Sequence, residues 1–265
     1  MDFKNFPVYV RTVATIYTKH LSNLLPFGKG WKYEKFIILG RARTGSTLLH
    51  TYLNSHLRIL SLDEFLHPSR TAHLDQKELL TYLYTVGFKE FSPLIQHVGF
   101  KLFYEWKREG FNALLDIFLQ DPSLKIIHLK RRNHLRTLVS LRIAEKNKLW
   151  SKSVYEAGES TTSKAIRLNP EECLLHFRTM AEEECWFDNF FQRKPKMELF
   201  YEDLVHHTTA ELRRVQLFLG VREQKLETLL ARQNPEPLPA LLLNFRELEI
   251  RFRNTEWHSY FTDGE

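Results

Sequence analysis

The stretch KFIILGRARTGST, residues 35–47, constrains the fold more than any other part of the chain. KFIILG is a short apolar, β-branched run that reads as a buried strand, and the LLHTYL after it has helical spacing. A glycine-bearing turn between such a strand and an amphipathic helix is the setting of a phosphate-binding loop. Gly45 lets the backbone approach an anion, the N–H groups of Thr44, Gly45, Ser46 and Thr47 point toward it, and the helix dipole favours negative charge there. The hydroxyls of Ser46 and Thr47 add donors. Gly40, Gly45 and Ser46-Thr47 keep both ends of the GxxxxGK[ST] pattern, but Ser46 stands where that pattern has lysine. Arg43, two residues before Gly45, is the nearest replacement cation.

Four further strand-like runs follow, at 57–61, 97–103, 124–129 and 197–201, and they alternate with helical patterns at 46–55, 76–86, 109–120, 134–146, 171–193 and 207–219. Strands separated by helices predict an α/β fold of three layers, a central and mainly parallel sheet covered by helices on both faces. At 265 residues the chain is expected to form one domain over 1–265. Residues 151–163, SKSVYEAGESTTS, lack periodicity and read as a long flexible loop, with Tyr155 as the one aromatic in a hydroxyl-rich stretch.

A net charge of +6 suits an anionic small ligand and falls short of a nucleic-acid arm. Cys173 and Cys185 form neither a CxxC pair nor a metal-ligand cluster, so a reducing, cytoplasmic setting without a metal centre is expected. No stretch has the roughly 18 uncharged apolar residues that span a bilayer. Residues 1–34 read as a basic amphipathic extension: Val13, Ile16, Tyr17, Leu21, Leu24 and Leu25 recur at helical spacing among basic side chains. Such a helix either packs its apolar stripe over the edge of its own domain or rests on a membrane surface as a peripheral contact.

A second junction has the same character. The run LKIIHL leads into KRRNHLRTLVS, in which Arg132 and Ser140 stand eight apart across a helix start. Together the two junctions resemble the sulfotransferases that use 3′-phosphoadenosine 5′-phosphosulfate (PAPS) and share a P-loop-NTPase-like fold. Arg43-Thr44-Gly45-Ser46-Thr47 is similar to their 5′-phosphosulfate loop, and Arg132, Asn133 and Ser140 to their grip on the 3′-phosphate. Arg131 reads either as an addition to that grip or as a solvated surface charge. LDEFLH (62–67), VGFKLFYE (98–105), LFYEDL (199–204) and RRVQLFLGV (213–221) look like segments of the bacterial Stf0-type and related carbohydrate enzymes.

The resemblance implies sulfuryl transfer from PAPS to a hydroxyl of a carbohydrate or glycolipid, without a metal and without nucleic acid as partner. Arg43 and the loop amides would stabilise charge on the departing phosphate. Glu64 would be the base, with Asp63 and His67 as competitors. Lys101, on the third strand, would orient the acceptor or assist the leaving group, unless it merely snorkels from a strand end. Glu202 and Asp203 read as cap or ion-pair residues, Trp150 and Trp186 as core or as a sugar-stacking wall. The acceptor pocket would draw on residues 62–75 and the 151–163 loop. The P-loop phosphotransferases and a non-catalytic polyanion-binding protein are the alternatives, the missing lysine weighing against the first.

Overall fold

The computed structural model describes residues 6–25, 31–106, 111–151, 153–154 and 164–262. Five strands, β1 (Glu34–Gly40), β2 (Ile59–Ser61), β3 (His97–Phe103), β4 (Leu124–Lys130) and β5 (Lys196–Phe200), form one sheet in the order β2-β3-β1-β4-β5. All four pairings are parallel. The principal helices are α1 (Phe6–Leu24), α2 (Ser46–Asn54), α3 (Pro68–Thr71), α4 (Gln76–Tyr82), α5 (Phe111–Gln120), α6 (His134–Asn147), α7 (Pro170–Phe190), α8 (Tyr201–His206) and α9 (Thr208–Leu219). Three short C-terminal helices complete the order: α10 (Leu238–Leu241), α11 (Phe245–Phe252) and α12 (Ser259–Thr262).

Side chains alternate across a strand, and β1 shows how that builds two cores. Ile37 and Leu39 join Phe100, Leu102 and Ile126 in a cluster with α5 and α7, whereas Phe36 and Ile38 join Ile127, Leu129 and Leu199 in a cluster with α2 and α9. The sheet is thus covered on both faces, as the unbroken apolar runs of β1 and β4 require. A third cluster packs α6 and α7 against the C-terminal helices through Leu138, Phe177, Leu248 and Phe252. Two aromatics near the C-terminus join it: Trp257 and Tyr260 lie 5.7 and 5.0 Å from the Phe177 ring.

Some expected boundaries move. The run at 57–61 yields a strand of only three residues at the sheet edge, and Tyr201 opens α8 instead of closing β5. Of the 151–163 loop, residues 152 and 155–163, Tyr155 among them, lie outside the described residues. Ser153 makes an antiparallel bridge to Leu230, which draws that segment against the stretch after α9.

Buried polar groups tie α7 to the sheet. Tyr104 donates to Nε2 of His128. Nδ1 of His128 in turn donates to the Asp188 carboxylate at 2.9 Å, which also accepts from Lys130 and Lys196, each at 2.6 Å. Burial acts to raise the Asp188 carboxyl, but these three donors hold it far below the usual carboxylate range.

Of the two orientations open to the N-terminal helix, its apolar stripe faces outward over most of its length. Ile16, Tyr17, Leu21, Leu24 and Leu25 are exposed, whereas Val8, Val13 and the polar Thr12, Thr15, Lys19, Ser22 and Asn23 are half-buried or buried. Lys19 is buried and donates to the carbonyls of Asn54 (2.7 Å), which ends α2, His56 (3.3 Å) and Ile59 (2.8 Å), which opens β2. A cation at a helix C-terminus satisfies carbonyls that lack an intrahelical partner. Among the described residues no helix is long and apolar enough to cross a membrane.

Two histidines, His176 buried and His50 half-buried, contribute to the acid response. Burial first, aided by neighbouring positive charge, pushes His50 down to about 4 and His176 to about 3, against an ordinary 6.5. Below pH 6.5 the unfolded chain takes up protons at these sites that the folded chain refuses until far lower pH, so stability falls as pH falls through this window. Thermal denaturation is expected to show a midpoint dropping steadily from pH 7 to pH 4.5, with a shallower decline in His176→Gln.

Candidate functional site

β1 occupies the middle of the sheet, with β3 on one side and β4 on the other, so the strand order reverses between β1 and β4. A crevice opens outside the carboxyl ends of strands at such a reversal. The two turns singled out in the sequence leave β1 and β4 there, and a cleft of about 280 Å³ lies between them.

The turn after β1 is held in a conformation most residues avoid. Gly45, with φ of 93°, caps α2, and no side chain accepts the first amides of that helix. A Cβ on Gly45 would sit 2.5 Å from the Tyr201 ring, so glycine is required both for the backbone angle and for the space. Arg43 also lies in the left-handed region, at φ 72°, a strain of about 1 kcal/mol for a side chain with a Cβ. Thr44 is buried and its hydroxyl donates to the Arg41 carbonyl at 2.8 Å, which closes the turn. Ser46 and Thr47 line the cleft.

Arg43 reaches across this cleft. Its Nε donates to Oγ of Ser140 at 3.0 Å, Nη1 to the Trp150 carbonyl at 2.7 Å, and Nη2 to the Gln233 side-chain oxygen. All three acceptors are neutral. Burial, and then the nearby Arg131 guanidinium, push Arg43 down to about 10, so it stays charged at neutral pH.

The second turn differs from expectation in which arginine faces the cleft. Arg132 gives its fork to Asp203, at 2.8 and 2.7 Å, and lies over the Phe200 ring with its side chain about half exposed. Arg131 lines the cleft instead, 7% exposed, with its guanidinium carbon 4.4 Å from the centre of the Tyr201 ring. Consecutive residues leaving a strand point to opposite sides, and Asp203 claims the outer one. Glu202 and Asp203 are ion-pair residues as read from sequence: Asp203 holds Arg132, and Glu202 lies 4.0 Å from Nε of Arg131 while accepting the Arg132 amide at 3.1 Å. Asn133 caps α6 by accepting the Arg136 amide at 3.0 Å, which leaves Ser140 facing Arg43 two turns on.

Sequence reading missed part of the wall. Arg136 and Arg232 also line the cleft, and the stretch from Thr228 to Asn234 closes one side of it. That stretch has no regular secondary structure, so no periodicity betrayed it, and Arg136 belongs to neither of the motifs singled out in the sequence. Four arginines and no carboxylate line the cleft among the described residues. Trp150 lines it too, whereas Trp186 stacks on Phe190 along α7, ring centres 4.9 Å apart.

A second group of charges adjoins the loop through Lys101. This residue is 1% exposed on β3, so it is not a snorkelling lysine. Its ammonium lies 3.1 Å from the Thr47 hydroxyl, 2.6 Å from the Asp63 carboxylate and 2.7 Å from that of Glu64. The backbone of residues 62–64 runs on beside β3: Leu62 donates to the Gly99 carbonyl at 2.7 Å and Lys101 to the Asp63 carbonyl at 2.9 Å. Phe65 anchors the segment in the core, 4.8 Å from the Phe100 ring. Asp63 adopts φ 56°, and although burial raises its carboxyl, Lys101 brings it below the ordinary carboxylate range. His67 is occupied locally: its Nδ1 accepts the Ser69 amide at 3.1 Å and its ring meets Trp106 edge-on at 5.5 Å.

Residues 33–238 match the family profile described as sulfotransferase domain. Nodulation protein H of Rhizobium tropici is 30% identical over 242 residues, which span 86% of this chain and 93% of that protein. Nodulation protein H of Rhizobium meliloti strain 1021 is 28% identical over 241 residues, 86% and 95% of the two chains. The crystal structure of a sulfotransferase from Alicyclobacillus acidocaldarius shares the fold, with a TM-score of 0.53 at 14% identity over 89% of this chain and 98% of that one. A profile that covers most of the chain, relatives aligned along nearly their whole length, and a parallel sheet with its arginine-lined cleft at the strand-order reversal agree: the chain belongs to the sulfotransferase family.

Proposed function

We propose that this sulfotransferase takes its sulfuryl group from PAPS and delivers it, in the cytoplasm, to a hydroxyl of a carbohydrate or glycolipid. The observation that carries the reading is the wall of the cleft: four arginines without a carboxylate, beside the uncapped start of α2. Arg43 and Arg131 lie near enough to repel one another, and an anion with two separated phosphate groups relieves that repulsion. The residues present fit such a ligand. The amides of Thr44 to Thr47 and Arg43 would hold the 5′-phosphosulfate; Arg131 and Ser140, in place of the Arg132 and Ser140 pair read from sequence, would hold the 3′-phosphate.

When bound, the nucleotide supplies a sulfuryl group whose departure leaves negative charge on a phosphate oxygen. The loop amides at the uncapped start of α2 would stabilise that charge, and Arg43, whose guanidinium is bonded to Ser140, Trp150 and Gln233, would turn part of its fork toward it. Lys101 holds the Thr47 hydroxyl and fixes Glu64 on the far side of its ammonium. Glu64 accepts the proton of the acceptor hydroxyl as that oxygen bonds to sulfur. Asp63, lowered by Lys101, is the weaker base, and the Nδ1 lone pair of His67 is taken by a backbone amide. The polar lining near Ser151 and Gln233 favours a hydroxylated acceptor over a flat apolar ring.

In thermal-shift titration, 3′,5′-adenosine bisphosphate is expected to raise the unfolding midpoint saturably without added magnesium; absence of any shift contradicts the donor assignment. Arg131→Ala is expected to weaken that nucleotide about tenfold or more through loss of a charge-assisted fork, and Arg132→Ala less than about threefold. The reverse order would return the 3′-phosphate to Arg132. With radiolabelled PAPS and a panel of glycans, glycolipids and phenols, Glu64→Gln is expected to lower turnover about a hundredfold or more while leaving nucleotide affinity unchanged. Unaltered turnover would remove Glu64 as the base.

A further inference from the structure

We infer that His50 is a positioning residue for sulfuryl transfer: through Ser61 it fixes the segment that carries Glu64 against α2, the helix whose first amides and Thr47 adjoin the cleft. The inference rests on the reading of Glu64 as the base. Thr47, His50 and Asn54 stand at i, i+3 and i+7 of α2 and so share one side of the helix. Leu49 and Leu53, on another side, are buried in the core with Phe36 and Ile38. The polar stripe is bonded instead to β2, β3 and the chain that leaves β2.

The amide, carbonyl and hydroxyl of Ser61 all meet that stripe. The amide donates to Oδ1 of Asn54 at 2.9 Å, the carbonyl accepts from Nδ2 of Asn54 at 2.9 Å, and the hydroxyl lies 2.7 Å from Nδ1 of His50. The Asn54 bonds decide where the imidazole carries its proton. With Oδ1 as the acceptor, Nδ2 is the donor, and it also reaches Nε2 of His50 at 3.4 Å. Burial holds His50 down to about 4 against the pull of Asp63, with the charges of Lys101 and Lys19 acting in the same direction as burial, so the ring is neutral at neutral pH. Nε2 therefore accepts, the proton sits on Nδ1, and Nδ1 donates to the Ser61 hydroxyl.

β2 needs such an anchor. It is three residues long, lies at the sheet edge and pairs on one side only, with β3. Two residues on, Asp63 takes φ 56°, and Glu64 follows it. A short edge strand that runs into a left-handed residue has little backbone pairing of its own to fix where the next carboxylate stands, and segments so held open locally at low cost. Lys101 ties Glu64 to Thr47, while His50 and Asn54 tie Ser61 to the same helix. The base and the donor loop are thus referenced to α2 at two points. Catalysis by positioning is steep in distance, a misplacement of about 1 Å costing on the order of a hundredfold. His50 is not among the residues that line the cleft, so its loss acts on the base and leaves donor binding alone.

In the full chain, His50→Gln puts its amide where Nε2 stands and leaves the Ser61 hydroxyl without its donor, whereas the shorter His50→Asn keeps a donor at the Nδ1 position. With radiolabelled PAPS and the panel glycan that is labelled fastest, His50→Gln is expected to lower kcat about tenfold, with KM for PAPS and affinity for 3′,5′-adenosine bisphosphate within about twofold of the parent. His50→Asn is expected to recover most of that loss. Added to Glu64→Gln, His50→Gln is expected to cost less than about twofold more, since it acts through that carboxylate. Ser61→Ala removes the same bond from its other end and serves where His50→Gln folds poorly. Amide hydrogen exchange needs no acceptor: with 3′,5′-adenosine bisphosphate bound, protection of Leu62 and Lys101, whose amides bond to the Gly99 and Asp63 carbonyls, is expected to fall in His50→Gln and Ser61→Ala and to hold in His50→Asn. Parental turnover in both His50→Gln and Ser61→Ala, nucleotide affinity lost in step with turnover, no recovery in His50→Asn, or an additive double variant would each overturn the proposal. Unaltered turnover in Glu64→Gln, or no glycan labelled, would count against the preceding reading alone; amide exchange then decides the role of His50, and unchanged protection in both variants overturns it.

Discussion

The contact between Gly45 and the Tyr201 ring is the constraint from which the cleft is built. It brings together the turn after β1 and the residue that opens α8 directly after β5, while Arg131, leaving β4, lies over the same ring. Three strand ends are therefore referenced to one aromatic side chain. A side chain at position 45 would collide with that ring and would also have to adopt φ 93°, so the start of α2 could not stay where its amides face the cleft. The distance between Arg43 and Arg131, and with it their mutual repulsion, follows from this packing.

Unfavourable terms gather in the same place. Arg43 and Asp63 hold left-handed backbone angles, and both carry charges that the site positions: one guanidinium lowered by burial and by Arg131, one carboxylate held down by Lys101. Strain and like-charge crowding persist only where surrounding structure over-determines them. Here the parallel pairing on both sides of β1, with residues buried on both faces, supplies that rigidity.

Period and composition made the sheet legible. KFIILG, HVGFKLF and LKIIHL are buried on both faces, so their apolar runs are continuous, and each was found nearly to the residue. The loop GRARTGST was equally plain, because the need for glycine and hydroxyls is written locally. Direction was not. An eight-residue spacing marks the second turn but cannot say which of two adjacent arginines faces inward; Asp203, seventy-one positions further on, decides it. The same limit explains α1: its stripe was evident, and which way it faces depended on one buried lysine finding three carbonyls. The stretch 228–234, which completes the wall, carries no periodic signal at all.

Lys101 has three ammonium protons, and Thr47, Asp63 and Glu64 take all of them. The count is closed. A ligand oxygen that arrives at the loop and draws a hydrogen bond from this ammonium must take it from one of those three, and the displaced oxygen then seeks another donor. Filling one side of β3 is thereby registered on the other as a change in how firmly a carboxylate is held, through a single nitrogen and without movement of the sheet.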